Sequence, residues 1–287
     1  MVLGIVGLGL MGGSLSLAIK GQGFYTRIIG CDNRESHVQE ALERGLVDEA
    51  VDLDTLIAQA DLIVLAVPVE AIVTLMPRLE AMKPTAVALD VGSTKTPIIE
   101  AIPSIIRSRF VAAHPMAGTE YSGPKAAFAK LYEERIVVLC DTEANEPAAL
   151  KAAQALFEAI GMRVVLMGAK EHDRHAAFIS HMPHAISYAL ANSVLSQEDK
   201  QSILTLAAGG FRDMSRLAKS SATMWIDIFK QNRKALLDSL TVFGFELDKA
   251  KKLIEAERWD ELKSWMAQAN TLHDIFKPPR HNRKGDE

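Results

Sequence analysis

One histidine in this sequence stands where a general base would be expected. Residues 110–113, Phe-Val-Ala-Ala, are typical of a short buried strand, and His114 follows them directly, with Pro115 restricting the backbone. The carboxyl ends of parallel strands border the crevice in which such sheets bind ligands. We therefore expect His114 to act as a base whose ionisation lies near the ordinary histidine pKa of about 6.5. Ser93, at the end of the preceding predicted strand, could hydrogen-bond the imidazole and fix its tautomer.

Four of the eight histidines fall within 13 residues: His172, His175, His181 and His184. The His-x-x-His spacing at 181–184 could place two imidazoles on one helical face, as in some zinc sites. No cysteine or carboxylate stands at an obvious ligand spacing around that pair, so we expect no metal. Two interpretations stay open. The histidines are either ordinary buried or capping residues, or they line a pocket for an anionic substrate.

Two arginines follow a pair of glycines in the segment 209–216, Gly-Gly-Phe-Arg-Asp-Met-Ser-Arg. The planar guanidinium group can grip a carboxylate through two parallel hydrogen bonds. Arg216 is therefore a candidate substrate anchor. Arg212 is the weaker candidate, because it could instead pair with Asp213 or lie at the surface.

The element that must position these groups is at the amino terminus. Residues 2–6 are typical of a buried strand, and the sequence Gly7-x-Gly9-x-x-Gly12 then leads into residues that can continue as a helix. Asp32 stands 20 residues beyond Gly12, the spacing at which a carboxylate hydrogen-bonds a ribose 2′-hydroxyl. This pattern predicts a dinucleotide site. The cofactor-contacting residues that we expect, at this turn and at the ends of the following strands, are Gly7, Leu8, Gly9, Leu10, Met11, Gly12, Asp32, Val67, Pro68 and Ser93.

The uncharged start of the chain could also suggest a signal peptide or a membrane span. No basic residue precedes it, however, and five glycines within residues 4–13 make a poor helix. The net charge of −4 with no long basic block predicts no nucleic-acid or membrane partner. The two cysteines give no disulfide framework, so we expect a cytoplasmic protein.

Short apolar runs alternate with helical stretches as far as about residue 168, which predicts an α/β domain with a parallel sheet. Beyond that point apolar residues recur at helical spacing, and an all-α domain is expected over residues 169–276. Residues 277–287 are polar and interrupted by prolines, which predicts a disordered tail.

Five motifs in the same order resemble the prephenate dehydrogenases, the TyrA family of tyrosine biosynthesis. They are the Gly7-x-Gly9-x-x-Gly12 turn and the segments 91–95 (Val-Gly-Ser-Thr-Lys), 114–120 (His-Pro-Met-Ala-Gly-Thr-Glu), 180–184 (Ser-His-Met-Pro-His) and 210–216 (Gly-Phe-Arg-Asp-Met-Ser-Arg). The resemblance covers about residues 1–275. It implies a Rossmann domain, a helical domain that forms a homodimer, and the NAD-dependent oxidative decarboxylation of prephenate to 4-hydroxyphenylpyruvate. Without a fused mutase segment, we expect the monofunctional form.

The resemblance also implies roles for particular residues. His114 is similar to the histidine that hydrogen-bonds the C4 hydroxyl group of the substrate, and Ser93 to the serine that orients it. The residues expected to bind the substrate are Arg216, His184, Glu120, Thr119, His181 and Arg212. Relatives that oxidise arogenate, or both substrates, leave the choice of substrate open, and a non-catalytic nucleotide sensor is a less favoured alternative. Apolar residues in segments 224–229 and 236–243 predict the dimer interface.

Overall fold

The described part of the chain, residues 1–275 of a computed structural model, contains an eight-stranded sheet. The strands are β1 (Val2–Val6), β2 (Arg27–Cys31), β3 (Glu49–Ala50), β4 (Leu62–Leu65), β5 (Val87–Asp90), β6 (Phe110–Pro115), β7 (Ile136–Cys140) and β8 (Arg163–Met167). Their order is β3-β2-β1-β4-β5-β6-β7-β8. The first six strands thus have the order found in dinucleotide-binding sheets, which confirms the predicted α/β fold. The tail of residues 277–287, predicted to be disordered, lies outside the described residues.

One pairing departs from the predicted parallel arrangement. Strand β7 runs antiparallel to β6, whereas the other neighbouring strands are parallel. A parallel neighbour needs a long crossover connection, usually a helix. The segment between β6 and β7 contains only two short 3-10 turns, Pro124–Ala126 and Ala129–Leu131. The chain therefore returns beside β6 in the opposite direction.

Helices cover the sheet and make up the second half of the chain. They are α1 (Leu10–Ile19), α2 (Glu35–Glu43), α3 (Leu53–Gln59), α4 (Val69–Leu75), α5 (Thr96–Ala101), α6 (Pro147–Ala159), α7 (Ala169–Ala176), α8 (Met182–Leu195), α9 (Lys200–Thr205), α10 (Gly209–Ser215), α11 (Ala222–Gln231), α12 (Arg233–Glu255), α13 (Trp259–Asn270) and α14 (Leu272–Ile275). A π-helical turn, Ala177–His181, joins α7 to α8. Such turns are frequent at functional sites.

The hydrophobic core has one layer on each face of the sheet. Along β4, Leu62 and Val64 belong to one layer, and Ile63 and Leu65 belong to the other. Side chains of a strand alternate between faces, and both faces of this strand are covered by helices, so the whole run is apolar. The central strands are thereby fixed in register. Their carboxyl ends, which carry the candidate site, are held by this packing.

Residue contacts divide the chain into two compact units, residues 1–236 and the part from Leu237 onwards. The first unit includes the sheet together with α7 to α11, because α7 packs on α5 and α11 packs on α4. This division differs from the predicted boundary near residue 168, where the change from strands to helices does occur. The second unit has its own contacts, including a hydrogen bond from Trp265 Nε1 to Glu246 Oε2 of 2.7 Å.

The segments predicted to form a dimer interface are only partly exposed. Trp225 and Ile228 are each 6% exposed and pack within the first unit, so neither belongs to a free surface. The exposed apolar side chains of these segments include Met224, Ile226, Leu237 and Val242. Among the described helices, none is both long enough and apolar enough to cross a membrane.

Candidate active site

The glycine turn between β1 and α1 has the geometry that a pyrophosphate requires. Gly7 has a φ of +96°, which glycine adopts without strain, and a Cβ atom on Gly12 would lie only 2.0 Å from the carbonyl oxygen of Gly7. A Cβ atom on Gly9, in contrast, would have nothing within 4 Å. The open backbone at Gly9 begins α1, whose first amide groups lack partners within the helix. These residues fit a dinucleotide.

The carboxylate of Asp32 is fixed beside this turn. Its Oδ2 atom accepts a hydrogen bond of 2.9 Å from the amide of Leu8, and its Oδ1 atom accepts one of 3.0 Å from the amide of Arg34. Nδ1 of His37 lies 3.2 Å from Oδ2. A carboxylate oxygen accepts more than one hydrogen bond, so Oδ1 keeps acceptor capacity for a ribose hydroxyl group.

Two other predicted cofactor residues lie at the same edge of the sheet. Val67 and Pro68 follow β4, the neighbour of β1, and one methyl group of Val67 lies 2.7 Å from the position that a Cβ atom of Gly7 would occupy. Val67 is half-buried and Pro68 is exposed. Ser93 is also half-buried, in the turn after β5. Their contacts with a cofactor stay a prediction.

Two further side chains extend inward from His114 in a hydrogen-bonded chain. Nδ1 of His114 lies 2.8 Å from Nε2 of His172, and Nδ1 of His172 lies 2.9 Å from Oδ1 of Asp173. An ionised carboxylate only accepts hydrogen bonds, so His172 carries its proton on Nδ1 and accepts at Nε2. His114 must then donate from Nδ1. This tautomer leaves the lone pair of His114 on Nε2, the nitrogen that can take up a substrate proton.

The carboxylate of Asp173 is held by the backbone after β5. Oδ1 accepts a hydrogen bond of 2.7 Å from the amide of Lys95, and Oδ2 accepts one of 2.8 Å from the amide of Thr96. Burial by itself would raise the pKa of Asp173. The hydrogen bonds from His172 and Thr96 outweigh burial and hold that pKa below its usual range, so Asp173 is ionised at neutral pH.

The environment of His114 favours its neutral form. Burial is the main cause, and the nearby His172, Lys95 and His181 act in the same direction, so the pKa of His114 lies well below 6.5. This corrects the expectation of an ionisation near that value. The structure also gives the orienting contact at Nδ1 to His172. No hydrogen bond between Ser93 and His114 is found among the described residues, so an orienting role for Ser93 stays a prediction.

Two other histidines are arranged around Trp225. His181 is almost fully buried, and its Nδ1 accepts a hydrogen bond of 3.1 Å from the side-chain nitrogen Nδ2 of Asn232. Burial lowers the pKa of His181 to about 4. His184 stacks on Trp225 with ring centroids 3.5 Å apart. Since His184 donates from Nδ1 to the carbonyl oxygen of Ser180 at 2.9 Å, its Nε2 is free for a ligand.

The remaining predicted substrate residues lie at the surface of this chain. Arg216 is exposed. Burial of His184 is the main cause of the lowered pKa of that histidine, and the positive charge of Arg216 lowers the pKa further, so the two groups interact electrostatically. Arg212 is exposed, as one of the two interpretations anticipated, and Glu120 and Thr119 are exposed in the loop after β6. The structure thus brings together His114, His172 and Asp173, and separately His184, His181 and Trp225.

Several residues of the site were not singled out from the sequence. Asp173 and Lys95 are buried polar residues in the surroundings of His114, and Trp225 lies in a segment predicted to form the dimer interface. The indole nitrogen of Trp225 is buried without a hydrogen-bond partner among the described residues. An available signal in the sequence is the adjacent His172-Asp173 pair, a carboxylate beside a histidine within α7. Within residues 1–275 no group of three or more His, Cys, Asp or Glu side chains is placed to hold a metal ion.

Comparison with known proteins gives consistent matches along the chain. Residues 15–166 match the family model described as prephenate dehydrogenase, nucleotide-binding domain, and residues 168–268 match prephenate dehydrogenase, dimerization domain. The prephenate dehydrogenase of Bacillus subtilis is 32% identical to this chain, over 94% of this chain and 74% of that protein.

Solved structures show the same similarity. A prephenate dehydrogenase from Aquifex aeolicus, in complex with hydroxyphenyl propionate and NAD+, superposes with a TM-score of 0.89 at 29% identity, covering 96% of this chain and 98% of that one. An arogenate dehydrogenase from Synechocystis superposes with a TM-score of 0.82 at 33% identity, covering 96% of this chain and 100% of that one.

Two glycine substitutions should separate the fold of the turn from its ligand. Gly9→Ala adds a methyl group in open space, so the melting temperature should change little, but the affinity for NAD should fall about tenfold or more because the backbone can no longer approach the pyrophosphate. Gly12→Ala places a methyl group against the backbone. It should lower the free energy of unfolding by about 1–3 kcal/mol and lower the melting temperature accordingly. Thermal unfolding and NAD titration measure both. Unchanged NAD affinity in Gly9→Ala would contradict this placement of the cofactor.

Replacement of Asp32 should relax the preference for NAD over NADP. The variant Asp32→Ser loses an acceptor for the 2′-hydroxyl group and a charge that repels a 2′-phosphate, so the ratio of kcat/KM values for NAD and NADP should fall about tenfold or more. Asp52→Ser is the matched control, because Asp52 caps α3 at the surface and serine also caps helices. The assignment of Asp32 is wrong if the two variants keep the same cofactor ratio.

Proposed function

We propose that this chain, which belongs to the prephenate dehydrogenase family, catalyses the NAD-dependent oxidative decarboxylation of prephenate to 4-hydroxyphenylpyruvate in tyrosine biosynthesis. The observation that carries the proposal is the chain of contacts from Asp173 through His172 to His114. These contacts leave Nε2 of neutral His114 with a free lone pair. This nitrogen lies at the carboxyl edge of a sheet whose glycine turn fits a dinucleotide.

His114 acts on the C4 hydroxyl group of the substrate. When bound, NAD supplies the acceptor for the hydride that leaves C4. Positive charge would build on C4 unless the hydroxyl proton moves to an acceptor, and Nε2 of His114 is that acceptor. Carbon dioxide leaves C1 as the ring becomes aromatic, which makes the overall reaction strongly favourable.

The inner residues stabilise the base once it has gained the proton. An imidazolium at position 114 donates from Nδ1 to His172, which in turn donates to the ionised Asp173. Asp173 need not take up a proton to be effective, because its negative charge stabilises the imidazolium through the intervening ring. The low pKa of His114 keeps the base neutral before the reaction.

We assign the substrate carboxylates to the group around His184. The indole nitrogen of Trp225, which has no hydrogen-bond partner among the described residues, and the guanidinium group of Arg216 are the donors that support this assignment. Nε2 of His184 carries the lone pair of the neutral ring and becomes a third donor only when that ring is protonated. Arg212, Glu120, Thr119 and His181 stay weaker predictions. Within the described residues the first three show no interaction with His184 of the kind that Arg216 has, and His181 is buried against Asn232. An anion bridging these donors would be gripped by charge-assisted hydrogen bonds.

A homodimer built through the helical region is the second part of the proposal. The matched dimerization domain covers residues 168–268, and the exposed Met224, Ile226, Leu237 and Val242 give this region apolar surface for a second copy. The unpaired Cys31 and Cys140 agree with the reducing cytoplasm as the place of action.

The substrate is tested by offering prephenate and arogenate, each with NAD and with NADP, and following nicotinamide reduction. We expect the highest kcat/KM with prephenate and NAD. The similarity to an arogenate dehydrogenase makes arogenate the competing substrate, which differs only by an amino group in place of the keto group. A higher kcat/KM with arogenate would replace prephenate in the proposal, and no reduction with either would refute the proposed activity.

Replacing the base should change the rate and its pH dependence together. His114→Asn should lower kcat by about 10²–10⁴-fold with little change in KM, because positioned proton transfer acts in the transition state. In the wild type, kcat should fall as the pH drops through the pKa of His114. That acid limb should lie below pH 6.5, because the pKa is lowered.

The variant should lose this acid limb. His273→Asn, a change at an exposed histidine of α14, serves as the control and should keep it. If His114→Asn retains the limb and most of its kcat, then the base is another residue, with His184 the next to be tested.

A further inference from the structure

A lysine and an aspartate form an ion pair inside the protein, in contact with the residue that precedes His114. The side chains of Lys95 and Asp90 are fully buried, and the ammonium group contacts Oδ2 of Asp90. Asp90 also accepts hydrogen bonds from the amides of Gly92, at 2.7 Å, and Ala113, at 3.1 Å. The ammonium group of Lys95 donates to the carbonyl oxygen of Ala113 at 2.5 Å. Both backbone groups of the residue before His114 are therefore bound by this pair.

The same lysine also binds Asp173, the inner end of the series of hydrogen bonds that leads through His172 to His114. Its backbone amide donates to Asp173, which accepts from His172, which accepts from His114. The contacts thus form a closed ring. The backbone of residues 113–114 is fixed by the side chain of Lys95, and the imidazole of His114 is fixed through Asp173 by the backbone of Lys95.

Burying two charges has a desolvation cost that their mutual attraction repays only with good geometry, and apolar pairs of similar volume are often as stable. The ion pair is therefore weak evidence for a role in stability. Its position suggests another role, because both partners bind backbone groups of the strand end and turn that carry His114 and Ser93.

We propose that Lys95, paired with Asp90, is a positioning residue for His114. Through Ala113 and Asp173 it fixes the imidazole so that Nε2 faces the substrate. Its positive charge also disfavours the imidazolium form of His114 and keeps the base neutral. This inference rests on the proposed role of His114 as the base. The titratable and charged groups around His114 are His172 and Asp173 of α7, His181 of the π turn, Asp90 at the end of β5, and Lys95 directly before α5.

Two variants test the proposal, Lys95→Met and Asp90→Asn/Lys95→Met. The single variant leaves Asp90 without its partner and could fail to fold. The double variant removes both charges but keeps the shape and an amide oxygen at position 90, so no unpaired charge is buried. Circular dichroism, thermal unfolding and NAD titration are measured first, on the full-length protein. We expect a folded protein with wild-type affinity for NAD.

In the double variant kcat should fall about tenfold or more, since small misplacements of a catalytic group have large effects, while KM changes little. The acid limb of kcat should move to higher pH, because Lys95 is among the groups that lower the pKa of His114, whereas Asp90 is not among the groups that shift it. A purely structural role would lower the melting temperature without moving this limb.

The matched control is the pair Asp61–Lys83, in which Nζ of Lys83 lies 2.8 Å from the carboxylate of Asp61. This pair joins the segments that precede β4 and β5. It therefore lies at the amino ends of the strands, whereas His114 lies at the carboxyl edge. Asp61→Asn/Lys83→Met should keep kcat and the acid limb. If Asp90→Asn/Lys95→Met also keeps both, the proposal for Lys95 is wrong.

His114→Asn distinguishes this failure from failure of the proposed function. If His114→Asn loses the acid limb but the double variant leaves the limb in place, then His114 is the base and Lys95 does not position it. If His114→Asn keeps the limb, then the base itself has been misassigned and the proposal for Lys95 falls with it.

Discussion

The carboxylate of Asp173 is the contact on which the catalytic half of the site depends. It lies on α7, the first helix after the sheet, and accepts hydrogen bonds from two consecutive amides after β5 and from His172. A single buried anion thereby joins the turn after β5 to α7 and sets the tautomers of two histidines. Without it, neither imidazole would have a defined donor and acceptor.

The same device recurs along the carboxyl edge of the sheet. Asp32 binds the amide of Leu8 and so fixes the glycine turn, and Asp90 binds the amides of Gly92 and Ala113. The turns at this edge also have apolar anchors, since Leu8 and Val91 are buried in the core. Short carboxylate side chains that accept backbone amide protons give these loops defined positions at low cost in side-chain entropy.

Burial determines the protonation of the histidines more than any single partner. The pKa values of His114, His181 and His184 are all lowered, in each case mainly by desolvation. A neutral ring can accept a proton, as a base requires, and can donate a hydrogen bond from one nitrogen. The lowered pKa values reduce the stability of the fold at low pH. As the pH falls below the ordinary histidine pKa, these histidines bind protons in the unfolded chain but not in the folded one, so the free energy of unfolding decreases.

Local patterns in the sequence determined the elements of this protein and part of its site. The strand at residues 2–6 and the strand that leads to His114 follow from short apolar runs, and the glycine turn with Asp32 is defined by spacing along one strand–helix–strand unit. Only the tertiary structure decided that β7 runs antiparallel, that His172 contacts His114 from 58 residues away, and that Trp225 is buried. The reason is physical. Periodicity reports which face of an element is apolar, whereas the partner of a buried polar group depends on how distant elements pack and on which groups lose their contact with water.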